Sequence, residues 1–205
     1  MDSQSRILLE TQLFPPIHYV SKLIQHPSVI LEKNEHFQKG SYRNRCTIAT
    51  AQGVQTLSMP LKKGKNQHQI ITDVQISYDT DWQRAFWRTL QTAYGNAPFW
   101  EHYAPVIEPF FLKKYTFLFD YNLDILQTII KILKLNKSIT FSFTDTYLPD
   151  FTEGVDFRNV CTPKNVNSTY KRYAQVFEDR NGFIPHLSIL DLIFCSGNQS
   201  LEILK

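Results

Sequence analysis

Three groups of residues in this chain have the types and spacing to do chemistry. The first lies in KGSYRNRCTI, Lys39 to Ile48, where Lys39, Arg43 and Arg45 crowd the mouth of an apolar stretch. On a strand, Arg43 and Arg45 point to one side and Tyr42 and Asn44 to the other. At the usual rise the two guanidinium groups then stand about 7 Å apart. That spacing suits a diphosphate, or a phosphate beside a carboxylate, because arginine grips such anions through paired charged hydrogen bonds. The same pattern also fits arginines that pair with acids on neighbouring strands or cover a solvent face. The second group is Arg84, Trp87, Arg88 and Gln91, spaced i, i+3, i+4, i+7 opposite the apolar stripe of one helix. A tryptophan between two arginines can stack a sugar or base beside an anion, or it can simply pack beneath a loop. The third is His18 in FPPIHY, at a strand-to-helix turn where parallel α/β sheets place ligand-binding groups. A histidine there can transfer a proton or bind phosphate, or be a hydrogen-bonded packing residue.

Other chemistries lack their residues. The six histidines show no H-x-x-x-H spacing and there is no CxxC, so no metal site is expected. Walker, G-x-G-x-x-G and G-x-S-x-G motifs are missing, and no cofactor is expected. Cys46, Cys161 and Cys195 are scattered and odd in number, which fits reduced, buried thiols better than a disulfide frame. The lysine-rich KKGKNQHQ reads as a solvated turn.

The elements that must position these groups are legible from periodicity. RILLETQ reads as a strand, Pro16 opens a helix over IHYVSKLI, and SVILEK reads as a second strand. A strand, helix and strand so close together predict a right-handed parallel unit. RCTIAT and VQTLSMPL flank a tight turn and predict a hairpin, and ITDVQIS predicts a further strand. Helical spacing follows: Trp82, Phe86, Leu90 and Ala93 share one face behind a Thr80-x-x-Gln83 capping box. A helix is expected from near Pro98, and another over about 122–135 with Leu123, Leu126, Ile130 and Leu133 inward. SITFSFT alternates as a strand with Ile139, Phe141 and Phe143 on one face. Residues 145–167 show no period, which predicts a lid or binding loop. LSILDLIF predicts a closing helix stopped by Gly197. The expected fold is a single domain over 1–205. It is mixed α/β, with a mixed parallel/antiparallel sheet, an N-terminal β-α-β unit, a β-hairpin and a following helical segment; α+β is the alternative.

The 205 residues are 42% hydrophobic and 20% charged, with 15 Phe, 10 Tyr and 3 Trp, enough for a substantial core. A net charge of +3 is too small for a protein whose affinity rests on neutralising many phosphates, so nucleic acid is not an expected partner. MDSQSRILLE has neither the basic start nor the apolar run of a signal peptide, and no segment is long enough to span a bilayer. A cytoplasmic location without membrane insertion is expected.

Several segments in order, FPPIHY, EKNEHFQKGSYRNRC, QTAYGNAPFWEHY, FLFDYN and GFIPHLSILDLIFCSGNQS, resemble the WbqC-like family of bacterial proteins over nearly the whole chain. Tyr42-Arg43-Asn44-Arg45 is the most specific piece. His18 stands where many members have glycine, and Glu10-Thr11 where many have Gln-Pro. The resemblance implies a place in O-antigen-type surface-polysaccharide assembly. Within that, the expected activity is acyl or aminoacyl transfer to a nucleotide-activated amino sugar, or non-catalytic binding in the same pathway. The expected partner is a nucleotide sugar or phosphosugar. Lys39, Arg43 and Arg45 would hold its diphosphate, Tyr42 and Asn44 orient polar groups, Arg84, Trp87 and Arg88 contribute stacking and charge, and His18 move a proton.

Overall fold

The computed structural model describes residues 6–62, 69–163 and 171–205. The expected lysine-rich turn falls largely outside these residues, as does the end of the expected long loop.

The centre of the molecule is a parallel sheet in the order β5-β2-β1-β6. β1 (Arg6–Leu9) is followed by α1 (Ile17–Gln25) and β2 (Ser28–Leu31), and Ile7, Leu8 and Leu9 face Val29, Ile30 and Leu31 in register. Strands covered on both faces read as continuous apolar runs, and Ile7, Leu8 and Leu9 are all fully buried. α1 presses Ile17, Val20 and Leu23 inward, and Pro16 stands at its N-cap rather than within its first turn. β3 (Arg45–Thr50) and β4 (Gly53–Ser58) form the expected antiparallel hairpin, separate from the parallel sheet.

Helices follow: α2 (Trp82–Tyr94), α3 (Trp100–Ile107), α4 (Pro109–Leu112) and α5 (Leu118–Ile132). Then come β5 (Thr140–Phe143), β6 (Gly154–Asp156), α6 (Glu178–Asn181), α7 (Ile189–Ser196) and α8 (Ser200–Leu204). α2 buries Trp82, Phe86, Leu90 and Ala93 as its spacing predicts. Every residue of α7 is buried, Asp191 and Ser196 among its apolar residues, and Gly197 ends it with a left-handed φ of 52°. One apolar cluster joins the sheet, the hairpin and these helices. The mixed α/β architecture is as expected. Among the described residues no helix is long and apolar enough to cross a membrane.

Four local expectations change. ITDVQIS is not a strand: it opens with a short 3-10 turn at Ile71–Asp73. Its backbone partners are then scattered, with Ile71 N donating to Glu35 O, Ile76 N to Thr116 O and Ser77 N to Pro60 O, so no single neighbour extends a ladder. The capping box does not form, because α2 starts after Asp81 without a side-chain cap and Gln83 instead donates to Lys113 O at 2.8 Å. α5 begins before Asn122, and its inward face is carried by Tyr121, Ile125, Leu126, Ile129 and Ile130 while Leu123 is only half-buried. The stretch from 145 is not wholly irregular, since it contains β6, paired parallel with β1. Three exposed residues, Gly-Val-Asp, are too few to show a period.

β6 depends on the glycine at its start. A Cβ on Gly154 would sit 2.2 Å from Arg6 O, against backbone that cannot yield. Gly154→Ala is expected to cost about 1–3 kcal/mol, the scale of overpacking, and to raise amide exchange along β6. Exchange unchanged from the wild type would show that β6 is not held by this contact.

Candidate functional site

Strand order fixes where a site can form. The chain runs outward from β1 to β2 to β5, then returns to the other side of β1 as β6. The β1–β6 boundary is therefore the switch point of the sheet, where α/β proteins bind ligands beyond the carboxyl ends of the strands.

Polar residues converge there because two apolar strands each end on Leu-Glu. Leu9 and Leu31 pair in register, Glu32 N donates to Leu9 O at 2.8 Å, and Glu10 and Glu32 follow as neighbours. Both are buried, at 1% and 0% exposure. Glu32 is well supplied with donors. Its carboxylate accepts from Thr144 Oγ1 at 2.5 Å, Asn34 N at 2.9 Å and Arg158 Nη1 at 3.2 Å. Glu10 has only neutral donors: Gln12 Nε2 at 2.7 Å and Asn159 N at 3.0 Å. Among the described residues it forms no ion pair.

Arg43 enters from the side. Its side chain is fully buried and grips Glu35 through Nε at 2.7 Å and Nη2 at 2.5 Å, while Nη2 also donates to Asn159 Oδ1 at 3.0 Å. Burial works against its charge, but hydrogen bonding to Glu35 and the nearby Glu10 raise its pKa, so the guanidinium stays protonated. Burial pushes the Glu35 carboxyl up, and Arg43 opposes that rise.

Buried polar atoms almost always find partners. Here Arg43 Nη1, Gln12 Oε1 and Thr11 Oγ1 have none within the protein. The two N–H groups of Arg43 Nη1 and the Gln12 amide oxygen thus lie unpartnered in the same cluster as Glu10, which forms no direct ion pair among the described residues. Asn159 forms the roof: it is exposed, holds a left-handed φ of 59°, and bonds to both Arg43 and Glu10. Phe14, in the β1–α1 loop, also adopts a left-handed φ of 41° although fully buried. Strain of that kind costs on the order of 1–3 kcal/mol and gathers at functional sites.

The expected site residues are only partly brought together. Arg43 lies in a turn, since β3 begins at Arg45, so the two arginines do not share a strand face. Tyr42 is buried and its carbonyl accepts from Leu13 N; Asn44 Nδ2 donates to Met59 O at 2.9 Å. Both tie this turn to its neighbours. Arg45 is half-buried, with Nε unpartnered, and Lys39 is exposed. Trp87 stacks on Trp100 at 5.3 Å and Phe111 at 5.4 Å, packing on α3 and α4 rather than under the long loop, with Arg84 and Arg88 exposed beside it. His18 is half-buried, with its ring 5.4 Å from that of Phe157. Burial, then Lys22 and His186, lower its pKa and keep it neutral near pH 7. Phe157 and Asn159 belong to one segment after β6, so His18 and Arg43 both contact it.

Sequence reading missed Glu10, Gln12, Glu32, Glu35, Arg158 and Asn159. The recurrence of an acid straight after each buried strand, ILLE and VILE, was the available signal. Cys46 and Cys195 are buried as expected, and Cys161 is buried too; burial first, then Glu10, push the Cys161 thiol up to about 12, so it is no thiolate nucleophile. Among the described residues no acid, histidine or cysteine cluster has the form of a metal site.

The uncharacterized protein Rv1507c of Mycobacterium tuberculosis is 26% identical to this chain, covering 86% of it and 87% of the relative. No solved structure matches. The model of the WbqC-like protein family matches residues 11–154, a span that holds Gln12, His18, Glu32, Glu35 and Arg43. The chain belongs to the WbqC-like protein family.

Proposed function

We propose that this protein is a cytoplasmic transferase of surface-polysaccharide assembly that joins an acyl or aminoacyl group to a nucleotide-activated amino sugar. The amine would be seated at the carboxyl end of the parallel sheet. What supports the reading is the pattern of unmet bonds there: among the described residues Glu10 is held by two neutral donors and no direct ion pair, Gln12 bonded to it has an unpartnered Oε1, and the nearby Arg43 has an unpartnered Nη1. A protonated amine supplies a donor for Gln12 Oε1 and a direct ion pair for Glu10. The two remaining N–H groups on Arg43 Nη1 suit an anionic oxygen of the same ligand or of the acyl donor.

In such a reaction the ammonium first loses a proton to a base. The amine nitrogen then attacks the acyl carbonyl and an N–C bond forms; the nitrogen gives up a second proton to the leaving group, which departs with the electron pair of its bond to the carbonyl carbon. In this reading Glu10 takes the first proton, and His18, packed against Phe157 on the segment that also carries Asn159, is the second candidate base. Asn159 would have to swing aside to admit the ligand. Lys39 and Arg45, nearer the surface, remain for the phosphates; Tyr42 and Asn44 would act by holding the Arg43 turn. Arg84, Trp87 and Arg88 form a separate face of α2 and have no part in this step.

The second reading, a non-catalytic binding or accessory protein, is favoured by one observation. Two clefts among the described residues are lined by other residues. A thermal-shift screen separates the two. A nucleotide-linked amino sugar at 100 times its dissociation constant should stabilise the fold by about 2.7 kcal/mol, and Glu10→Gln should abolish that gain. An equal shift from the N-acetylated analogue would sink the amine reading. Binding without any acyl transfer in a coupled assay would favour the accessory role.

A further inference from the structure

One cleft, of about 730 Å3, lies between α3–α4 and α5, within the range of small-molecule sites. On α5 it is lined by Asp124, Gln127, Thr128 and Lys131, spaced i, i+3, i+4, i+7 and so on one face of the helix. That face carries a carboxylate, an amide, a hydroxyl and an ammonium, the mixed donors and acceptors that a ring bearing several hydroxyls requires. Asp124 is held in place by Tyr115, whose OH donates to Oδ2 at 2.8 Å. The facing wall is aromatic, with Tyr103 and Phe110, a surface for the C–H face of a sugar. Lys113 also lines the cleft, with Nζ 4.6 Å from the Tyr115 ring centre. Among the described residues neither Lys113 nor Lys131 forms an ion pair. Two uncompensated ammonium groups against one carboxylate make the cleft locally cationic.

We propose that this cleft binds a phosphate monoester carried on a hydroxyl-bearing ring. The ring packs on Tyr103 and Phe110 and is read by Asp124, Gln127 and Thr128, while Lys113 and Lys131 take the phosphate. The site is separate from the sheet-end cluster. Asn122, two residues before Asp124 and so on the opposite side of α5, donates to Arg43 O at 2.8 Å. The two sites therefore lie on opposite faces of one helix, and this inference does not rest on the function proposed above.

Free sugar phosphates and nucleotides share this chemistry. Calorimetric titration of the full chain with glucose 1-phosphate, uridine monophosphate, glucose and inorganic phosphate tells them apart. At least one ring phosphate should bind, with glucose and inorganic phosphate at least about tenfold weaker, since each lacks one set of charged or polar hydrogen bonds. Replacing both exposed lysines, Lys113→Ala with Lys131→Ala, should weaken the ring phosphate at least about tenfold without changing the melting midpoint. Thr128→Val should weaken the ring phosphate and leave inorganic phosphate as it was. Glu10→Gln and Arg43→Lys, which disturb the sheet-end cluster, should leave ring-phosphate binding at this cleft as it was, so failure here and failure at the sheet end are distinguishable. No heat from either ring phosphate overturns the proposal, as does equal binding of inorganic phosphate. Binding that survives the double lysine variant but is lost in Arg43→Lys would place the ligand at the sheet end instead.

Discussion

Arg43→Ala is expected to lower the stability of the fold by about 3–5 kcal/mol, measured by urea denaturation at neutral pH. Removing the guanidinium strands the Glu35 carboxylate, only 4% exposed, with neither of its two charged hydrogen bonds, and leaves Asn159 Oδ1 without its donor. A buried pair broken on one side costs far more than the pair contributes when intact, because its desolvation has already been met. Removing both charges should therefore recover much of the loss. Arg43→Met with Glu35→Met is expected to be markedly more stable than Arg43→Ala, giving a large coupling energy in a double-mutant cycle. A loss below about 1 kcal/mol in Arg43→Ala would mean that the carboxylate finds water, and that the pair is not sealed. The size of this effect bears on function as well. A variant that loses several kcal/mol also loses ligand binding by unfolding, so binding is better read in Arg43→Lys, which keeps the charge but not the two-point grip.

That pair also marks the limit of what periodicity can convey. The β-α-β start, the hairpin, α2 and α7 were legible because each shows one clear spacing of apolar residues over six or more positions. β6 was not, since its place in the sheet is set by Gly154 fitting against Arg6, a contact between residues far apart in the chain. The site was half legible. Tyr42-Arg43-Asn44-Arg45 stood out by charge, but the acid that neutralises Arg43 lies eight residues earlier, in a loop without a period. An even count along a strand placed Arg43 and Arg45 together; the turn before β3 separates them. The acids after β1 and β2 carried a readable mark, an apolar strand ending on glutamate. Its meaning emerges only when β6 returns to the other side of β1 and makes that edge a switch point. Trp87 illustrates the reverse case, where a ring that looks available on a helical wheel is claimed by Trp100 and Phe111.

The largest pH effect is expected from Asp191, buried at 0% exposure in the fully buried α7. Its carboxylate accepts from Tyr94 OH at 2.9 Å, Tyr173 OH at 2.6 Å and Gln175 Nε2 at 3.3 Å. These donors favour the ionised form, but burial outweighs them and pushes the carboxyl up to about 6 from 3.8. A carboxyl whose pKa is higher folded than unfolded binds its proton more tightly in the folded state. Its contribution is therefore fully present below the unfolded value and is lost as pH rises through about 6. A rise of roughly two units corresponds to about 3 kcal/mol between the two limits. Other carboxylates move the total the opposite way, so the measurement is the difference between wild type and Asp191→Asn, followed from about pH 3 to pH 8, a window that spans both values. Asparagine adds a penalty by turning an N–H toward one of three donors, but that penalty does not depend on pH. The stability of the wild type relative to the variant should fall by about 3 kcal/mol across the window and level off above it. A flat difference would show that the two tyrosines and Gln175 hold Asp191 ionised throughout, and that α7 tolerates a buried charge without titrating it.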